Sequence, residues 1–262
     1  MLISLLLSSL FCFTTFKKTY SFSTFKNYHS TQRTIIKSSD YNKNDDGLNL
    51  SVVFDDSDAQ SQFGTKIYWD EMYQGMGDFS SEEYSWYYGF ESIKPYFIEY
   101  APQPSKKKTS EKDEPRILVP GIGNDGILLD LYNFGYKDIT AFDYSESAVE
   151  RQLELVSYDS KATEDIKVLV RDARKLDKEW QNSFDIIFEK GALDAIYLSG
   201  DGYVNMAIKE LTRVLKKDGY FISVSGVIPE DLRKEIFQTD CWEWLRDGSN
   251  DLKAGCFVWR KL

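Results

Sequence analysis

The sequence predicts an α/β fold, a doubly wound sheet of mostly parallel strands closed at its carboxyl-terminal end by an antiparallel hairpin. Three observations predict it. From Arg116 onward, apolar strand-like runs alternate with helical patterns, and such alternation builds parallel strands joined by helical crossovers. A glycine-rich turn directly follows the first of these strands. The last two apolar runs are separated only by the polar stretch GSNDLKA, too short for the crossover that parallel strands need.

In chain order, RILVP at Arg116–Pro120 reads as a buried strand. It ends in the turn Gly121-Ile122-Gly123-Asn124-Asp125-Gly126, and a helix runs on through Leu128, Leu129 and Leu131. A strand over 138–142, a helix over 147–156 and strands over 166–170 and 184–188 come next. After a loop, a helix over 203–216 leads through Asp218-Gly219 into a strand over 220–224, and 241–247 with 255–262 form the hairpin. Cys241 and Cys256 on those last strands read as packing residues. Ahead of the sheet, KIYWDEMYQGM and EEYSWYYGFESIKPYF are rich in aromatics, with Ile93, Phe97 and Tyr100 at helical spacing. They read as short helices packed on the sheet. Residues 101–115, with Pro102, Pro104, Pro115 and the run Lys106, Lys107, Lys108, read as a solvated loop.

Composition narrows the chemistry. The 262 residues carry a net charge of -10 and a single histidine, His29, near the amino terminus. Residues 1–39 contain Lys17, Lys18, Lys26, Arg33 and Lys37 and no acid, so the rest of the chain is more acidic still. A body of that sign gains nothing from counterion release on a phosphate backbone, which argues against nucleic acid and for a basic protein partner. Without a histidine in the folded region, Ser-His-Asp triads, Cys-His pairs and histidine metal sites are excluded there, and no metal is expected. Cys12, Cys241 and Cys256 are too few and too unevenly spaced for a disulfide framework or a zinc knuckle.

The glycine turn supplies the positive chemistry. Gly121 and Gly123 let the backbone approach a ligand closely, and the following helix offers N–H groups to an anion. Asp143 ends the next strand, where a carboxylate can accept hydrogen bonds from both ribose hydroxyls. Together they point to an adenosine-containing cofactor, and by itself the turn also fits a dinucleotide. Asp172, at the carboxyl edge of the third strand, suits an adenine amino group, with capping of a following helix as the alternative. The fourth strand ends in the charged pair Glu189 and Lys190 rather than the small residues expected under a nicotinamide.

The stretches YWDEMYQGM, YSWYYGF, ILVPGIGNDG, AFDYS, RDARKLD, FDIIFEKGALDAI and RVLKKDGYFISVS, in this order, resemble the seven-strand methyltransferases that modify lysine in eukaryotic elongation factor 1-alpha. The resemblance is greatest to the branch related to the methyltransferase domain fused to endothelin-converting enzyme 2, and it spans roughly residues 65–262. It implies a Rossmann-like seven-stranded sheet, S-adenosylmethionine as cofactor, and a lysine of a basic protein, such as a translation elongation factor, as acceptor. It also implies that Trp69, Tyr73 and Trp86 cover the cofactor, that Gly121 touches its amino-acid part, and that Asp143 with Tyr144 holds the ribose and flanks the adenine. Asp172 and Ala173 would bind the adenine edge, and Lys190 would lie beside the cofactor. Aromatic faces suit a sulfonium cation. A lysine acceptor must lose a proton before it attacks, either by desolvation or to a carboxylate, for which Glu189 and Asp194 are the candidates. Two other readings stay open: an NAD(P)-dependent oxidoreductase on the same turn, and a non-catalytic binding protein with this fold.

Three regions are therefore expected: a leader over 1–39, a polar linker over 40–64 and the folded domain over 65–262. The leader opens with an apolar run at 2–13, too short for a transmembrane helix, and continues rich in Ser, Thr and Lys without acids, the composition of a transit segment for a plastid or mitochondrion. A cytoplasmic tail is the alternative. A fluorescent fusion of the full chain is expected to reach an organelle and to lose that location when residues 1–39 are removed; an unchanged distribution overturns the targeting reading.

Overall fold

A computed structural model of the chain describes residues 56–76, 85–104 and 114–262. The leader, with His29 and Cys12, the linker up to residue 55 and the lysines at 106–108 lie outside the described residues. Structure begins by Asp56 rather than at Thr65, as two 3-10 turns at Asp56–Asp58 and Gln62–Gly64. These turns are packed rather than linker-like. The N–H of Gln60 donates to the carbonyl of Leu198 at 2.8 Å, and a Cβ on Gly64 would lie 2.1 Å from that same oxygen.

The sheet has seven strands: β1 (Arg116–Pro120), β2 (Asp138–Asp143), β3 (Ile166–Val170), β4 (Phe184–Lys190), β5 (Leu215–Ser225), β6 (Trp242–Arg246) and β7 (Gly255–Lys261). Their order is β3-β2-β1-β4-β5-β7-β6. The first five run parallel, and β7 pairs antiparallel with both β5 and β6, so the hairpin joins the sheet through its second strand. β1 and β4 are buried on both faces over most of their length, as central parallel strands must be when helices cover both sides.

Eight helices complete the described fold: α1 (Lys66–Tyr73), α2 (Phe90–Tyr100), α3 (Ile127–Phe134), α4 (Glu146–Ser157), α5 (Ser160–Asp165), α6 (Ala192–Ser199), α7 (Tyr203–Val214) and α8 (Glu230–Phe237). Local chemistry sets their ends. The hydroxyls of Thr65 and Ser145 accept the N–H groups of Tyr68 and Ala148 and start α1 and α4. Gly135 stops α3 at φ +133°, a conformation glycine adopts without strain. One face of the sheet buries Ile117, Val119, Phe188 and Ile222 against Phe97 of α2, Leu131 of α3 and Val149 of α4. The other buries Leu118, Phe142, Ile187 and Phe221 against Leu193 of α6, Leu211 of α7 and Phe237 of α8.

Three helices were not expected. α5, α6 and α8 have six to eight residues, too few turns for an apolar period to stand out. The helix read over 203–216 stops at Val214 because Leu215 already pairs with Phe184, so β5 begins earlier than residue 220. Cys241 is exposed, just ahead of β6, and does not pack in the hairpin. Cys256 is buried on β7, and burial pushes its thiol up to about 12.

Trp259 of β7 is the hub of the second core. It is 1% exposed, stacks on Phe237 at 3.8 Å and lies at ring contact with Phe221, Trp244 and Phe257. Trp259→Ala is expected to lower the unfolding free energy by about 3–5 kcal/mol, read from urea titration; a loss under about 1 kcal/mol would mean that this cluster does not hold β7 in place.

Candidate functional site

Strand order reverses between β1 and β4, because β2 flanks β1 on one side and β4 on the other. In open α/β sheets that point leaves a crevice outside the carboxyl ends of the strands. The glycine turn stands there, with Gly121 at φ +59° and Gly123 at φ +57°. Space demands glycine as strongly as conformation does. A Cβ on Gly121 would lie 2.5 Å from that of Ala192, and one on Gly123 would lie 2.7 Å from the Tyr73 hydroxyl.

Three buried side chains from three elements hold this turn. Asp143, at the end of β2, accepts the Gly123 N–H at 3.0 Å through Oδ2 and the Ser145 N–H at 3.0 Å through Oδ1. Burial pushes its carboxyl up to about 6 even though these N–H groups favour the charged form. Gln152 of α4 donates its amide to the carbonyls of Gly123 at 2.9 Å and Asp125 at 2.8 Å. Lys190, the last residue of β4, meets the Asp125 carboxylate at 2.7 Å, with both side chains nearly buried.

The predicted aromatic cover is assembled over this point. Trp69 and Tyr73 of α1 lie face to face at 6.0 Å, and Trp86 meets Trp69 edge-on at 5.5 Å. Burial, with the Asp143 charge second, raises the Tyr73 phenol well above its usual value. Tyr144 reaches the carbonyl of Thr65, at the start of α1, at 3.5 Å. Lys190 also donates to the Trp86 carbonyl at 2.6 Å, so one ammonium ties the glycine turn to the cover. Gly121, Gly123, Asp143, Tyr144, Trp69, Tyr73, Trp86 and Lys190 thus gather at one place.

Asp172 and Ala173 lie at the neighbouring end of β3. No helix follows Asp172, which sets aside the capping alternative; its carboxylate accepts the Arg174 N–H at 2.9 Å and pairs with the Arg174 guanidinium at 2.9 Å. That guanidinium lies 4.6 Å from the Tyr203 ring. Ala173 is buried in the second core.

The two candidate bases are both engaged. Asp194, in the first turn of α6 and 1% exposed, accepts from Tyr87 Oη at 2.6 Å, Ser225 Oγ at 2.6 Å and the N–H groups of Gly226, Val227 and Ile228 at 2.8, 3.3 and 3.2 Å. Tyr87 holds a left-handed backbone, φ +63°, with its ring against Gly191 and Gly226. Glu189 is fully buried and accepts the Leu193 N–H at 3.1 Å and the Ser223 hydroxyl. Neither is a surface group, and Glu189 does not pair with Lys190. Burial first, and the Asp194 charge second, push the Glu189 carboxyl up to about 8.

Sequence reasoning did not single out Gln152, yet a signal was present. It stands on the apolar face of α4 with Ala148, Val149, Leu155 and Val156, where a polar residue needs a partner. The role of Tyr87 left no such trace, because its ring packs against two glycines far along the chain, Gly191 and Gly226. Among the described residues no cluster of His, Cys, Asp and Glu could hold a metal ion, and no helix is long and apolar enough to cross a membrane.

The Glu189 shift has a pH consequence with a definite sign. Between its usual value of 4.5 and about 8 the folded chain holds a proton that the unfolded chain has released, so stability falls as pH rises through that window. Glu189→Gln is expected to flatten this decline and to be the more stable form at pH 8 by about 1–3 kcal/mol. Thermal unfolding of both proteins between about pH 5 and pH 9 reads the difference; parallel curves would mean that Glu189 ionises normally.

Comparison with known proteins bears on what such a site serves. The family described as a methyltransferase domain matches residues 112–253. The chain is 31% identical over 194 residues to the mouse protein named EEF1A lysine methyltransferase 4, covering 70% of this chain and 69% of that one. It is 27% identical over 171 residues to the Drosophila melanogaster eEF1A lysine and N-terminal methyltransferase homolog, covering 64% of this chain and 23% of that one. This chain therefore spans about a quarter of the fly protein's length. Among solved structures, magnesium protoporphyrin IX methyltransferase from Synechocystis PCC 6803, with bound SAM, superposes with a TM-score of 0.51 at 12% identity, over 66% of this chain and 77% of that one, which is agreement in fold. The matched family stretch takes in the glycine turn, Asp143, Gln152, Asp172, Lys190 and Asp194, and by that match the chain belongs to the methyltransferase domain family.

Proposed function

We propose that the chain is an S-adenosylmethionine-dependent methyltransferase acting on a lysine of a protein substrate. The observation that carries the reading is the joining of the glycine turn to the buried Asp143 under the aromatic cover of α1. The turn presents backbone to the amino-acid end of the cofactor, Asp143 stands where ribose hydroxyls would donate, and Trp69, Tyr73 and Trp86 offer faces to a sulfonium. The relatives named for lysine in elongation factor 1A support lysine as acceptor. The net charge of -10 supports a basic partner, here taken as a lysine-bearing translation factor.

S-adenosylmethionine, when bound, would supply the methyl group to the acceptor nitrogen, the electron pair of its carbon–sulfur bond remaining with sulfur. The amine must be neutral to attack, and its proton leaves to solvent. Asp194 is engaged by donors from its own surroundings and Glu189 is buried against Leu193 and Ser223, so the role read for the chain is to exclude water and align the reactants. Desolvation beneath aromatic rings lowers the pKa of an ammonium, and alignment alone supplies large accelerations.

Calorimetric titration with S-adenosylmethionine and S-adenosylhomocysteine tests the cofactor. Wild type is expected to bind both at about micromolar Kd, on the order of -8 kcal/mol. Asp143→Ala should weaken both by about 100-fold or more while unfolding remains cooperative. Unchanged affinity in the variant sinks the ribose assignment. Radiolabelled methyl appearing on lysine of a translation-factor preparation supports the acceptor, and label on nucleic acid or none at all overturns it.

A further inference from the structure

We propose that Gln152 is a positioning residue for the amino-acid end of the cofactor, acting through the peptide units of the glycine turn without touching the ligand; the proposal rests on the cofactor reading above. Gln152 is completely buried on α4. Its Nε2 donates to two carbonyls of the turn, Gly123 at 2.9 Å and Asp125 at 2.8 Å. With two acceptors on one side of the amide, its orientation is fixed, since the opposite flip would press oxygen against oxygen.

In a planar trans peptide the C=O and the following N–H point in opposite directions. Pinning the carbonyls of Gly123 and Asp125 to α4 therefore turns the N–H groups of Asn124 and Gly126 away from α4. Turned outward, N–H groups at the start of α3 are suited to a carboxylate. The Asp143 carboxylate and the Lys190 ammonium hold other parts of the same turn, but neither sets these two peptide planes.

The other half of the amide marks the role as more than packing. Gln152 Oε1 is buried without a hydrogen-bond partner among the described residues, which costs stability. An apolar side chain of the same length would fill the space without that cost. What glutamine adds at this position is the pair of donors to the turn.

Two ligands that share adenosine separate this role from a general effect on the fold. S-adenosylhomocysteine carries the amino-acid carboxylate, and 5′-methylthioadenosine carries the same adenosine and sulfur without it. Both are titrated into the full-length wild type, Gln152→Met and, should that variant not fold, Gln152→Leu, with the weaker ligand measured by competition. The variant is expected to lose about tenfold or more in affinity for S-adenosylhomocysteine, to bind 5′-methylthioadenosine within about twofold of wild type, and to unfold cooperatively, at a somewhat lower temperature because two buried carbonyls lose their donor. Equal losses for both ligands, or no loss for either, overturn the proposal. A wild-type chain that binds neither ligand refutes the cofactor reading itself and takes the proposal with it, whereas the ligand-by-variant pattern refutes the proposal alone.

Discussion

The arrangement of this protein depends on how the chain leaves β1. Two glycines at positive φ, Gly121 and Gly123, take the backbone from the middle of the sheet into α3 within a few residues. No other residue type could do this here, because Ala192 and Tyr73 occupy the space that side chains would need. A turn this tight presents its carbonyls and N–H groups at close quarters and needs partners for them. They come from β2 and α4, through Asp143 and Gln152, while Lys190 of β4 pairs with the Asp125 side chain. The site is therefore a requirement of the turn as much as an addition to the fold.

The same economy explains the buried charge around β4. Glu189 stands in β4 three residues before α6 and Asp194 is the third residue of that helix, whose cap, Gly191, brings no side chain of its own. Glu189 accepts an N–H from that first turn, and Asp194 gathers the backbone that leaves β5. Arg233 closes the network, donating to the Ile228 carbonyl at 2.9 Å with its guanidinium over Phe257. Donors from so many directions tie these two side chains to the strand ends that they join.

Much of this was legible in the residues themselves. The alternation from Arg116 onward fixed the strand types, and the short GSNDLKA connection required the antiparallel hairpin. Gly121 and Asp143 were findable because each has a local chemical reason to stand where it does, whereas the aromatics of α1 read by themselves as packing and were placed at the site only by the family resemblance. Position within the sheet was less accessible: β7 lying between β5 and β6 is a choice of partner that no single strand encodes. The pairing of Asp172 with Arg174 and of Lys190 with Asp125 was also hidden, because a charge in sequence does not name the opposite charge that will neutralise it. Short helices such as α6 and α8 escaped for want of turns, and the structure of residues 56–64 escaped because polar composition resembles a linker until Leu198 supplies the contact.

The aromatic cover also sets a clock. Tyr73 stands directly over Gly123, and α1 is joined to its surroundings by Thr65, by Gln74 donating to Ser147 at 3.1 Å, and by the Trp69 indole donating to the Phe63 carbonyl at 2.8 Å. The Tyr73 hydroxyl, 2.7 Å from where a Gly123 Cβ would stand, leaves no room for a ligand between α1 and that residue. Motions of packed elements take microseconds to milliseconds, far longer than diffusion across the same distance. A ligand lying on Gly123 would have to displace the Tyr73 ring, and its exchange would then follow that motion rather than diffusion alone.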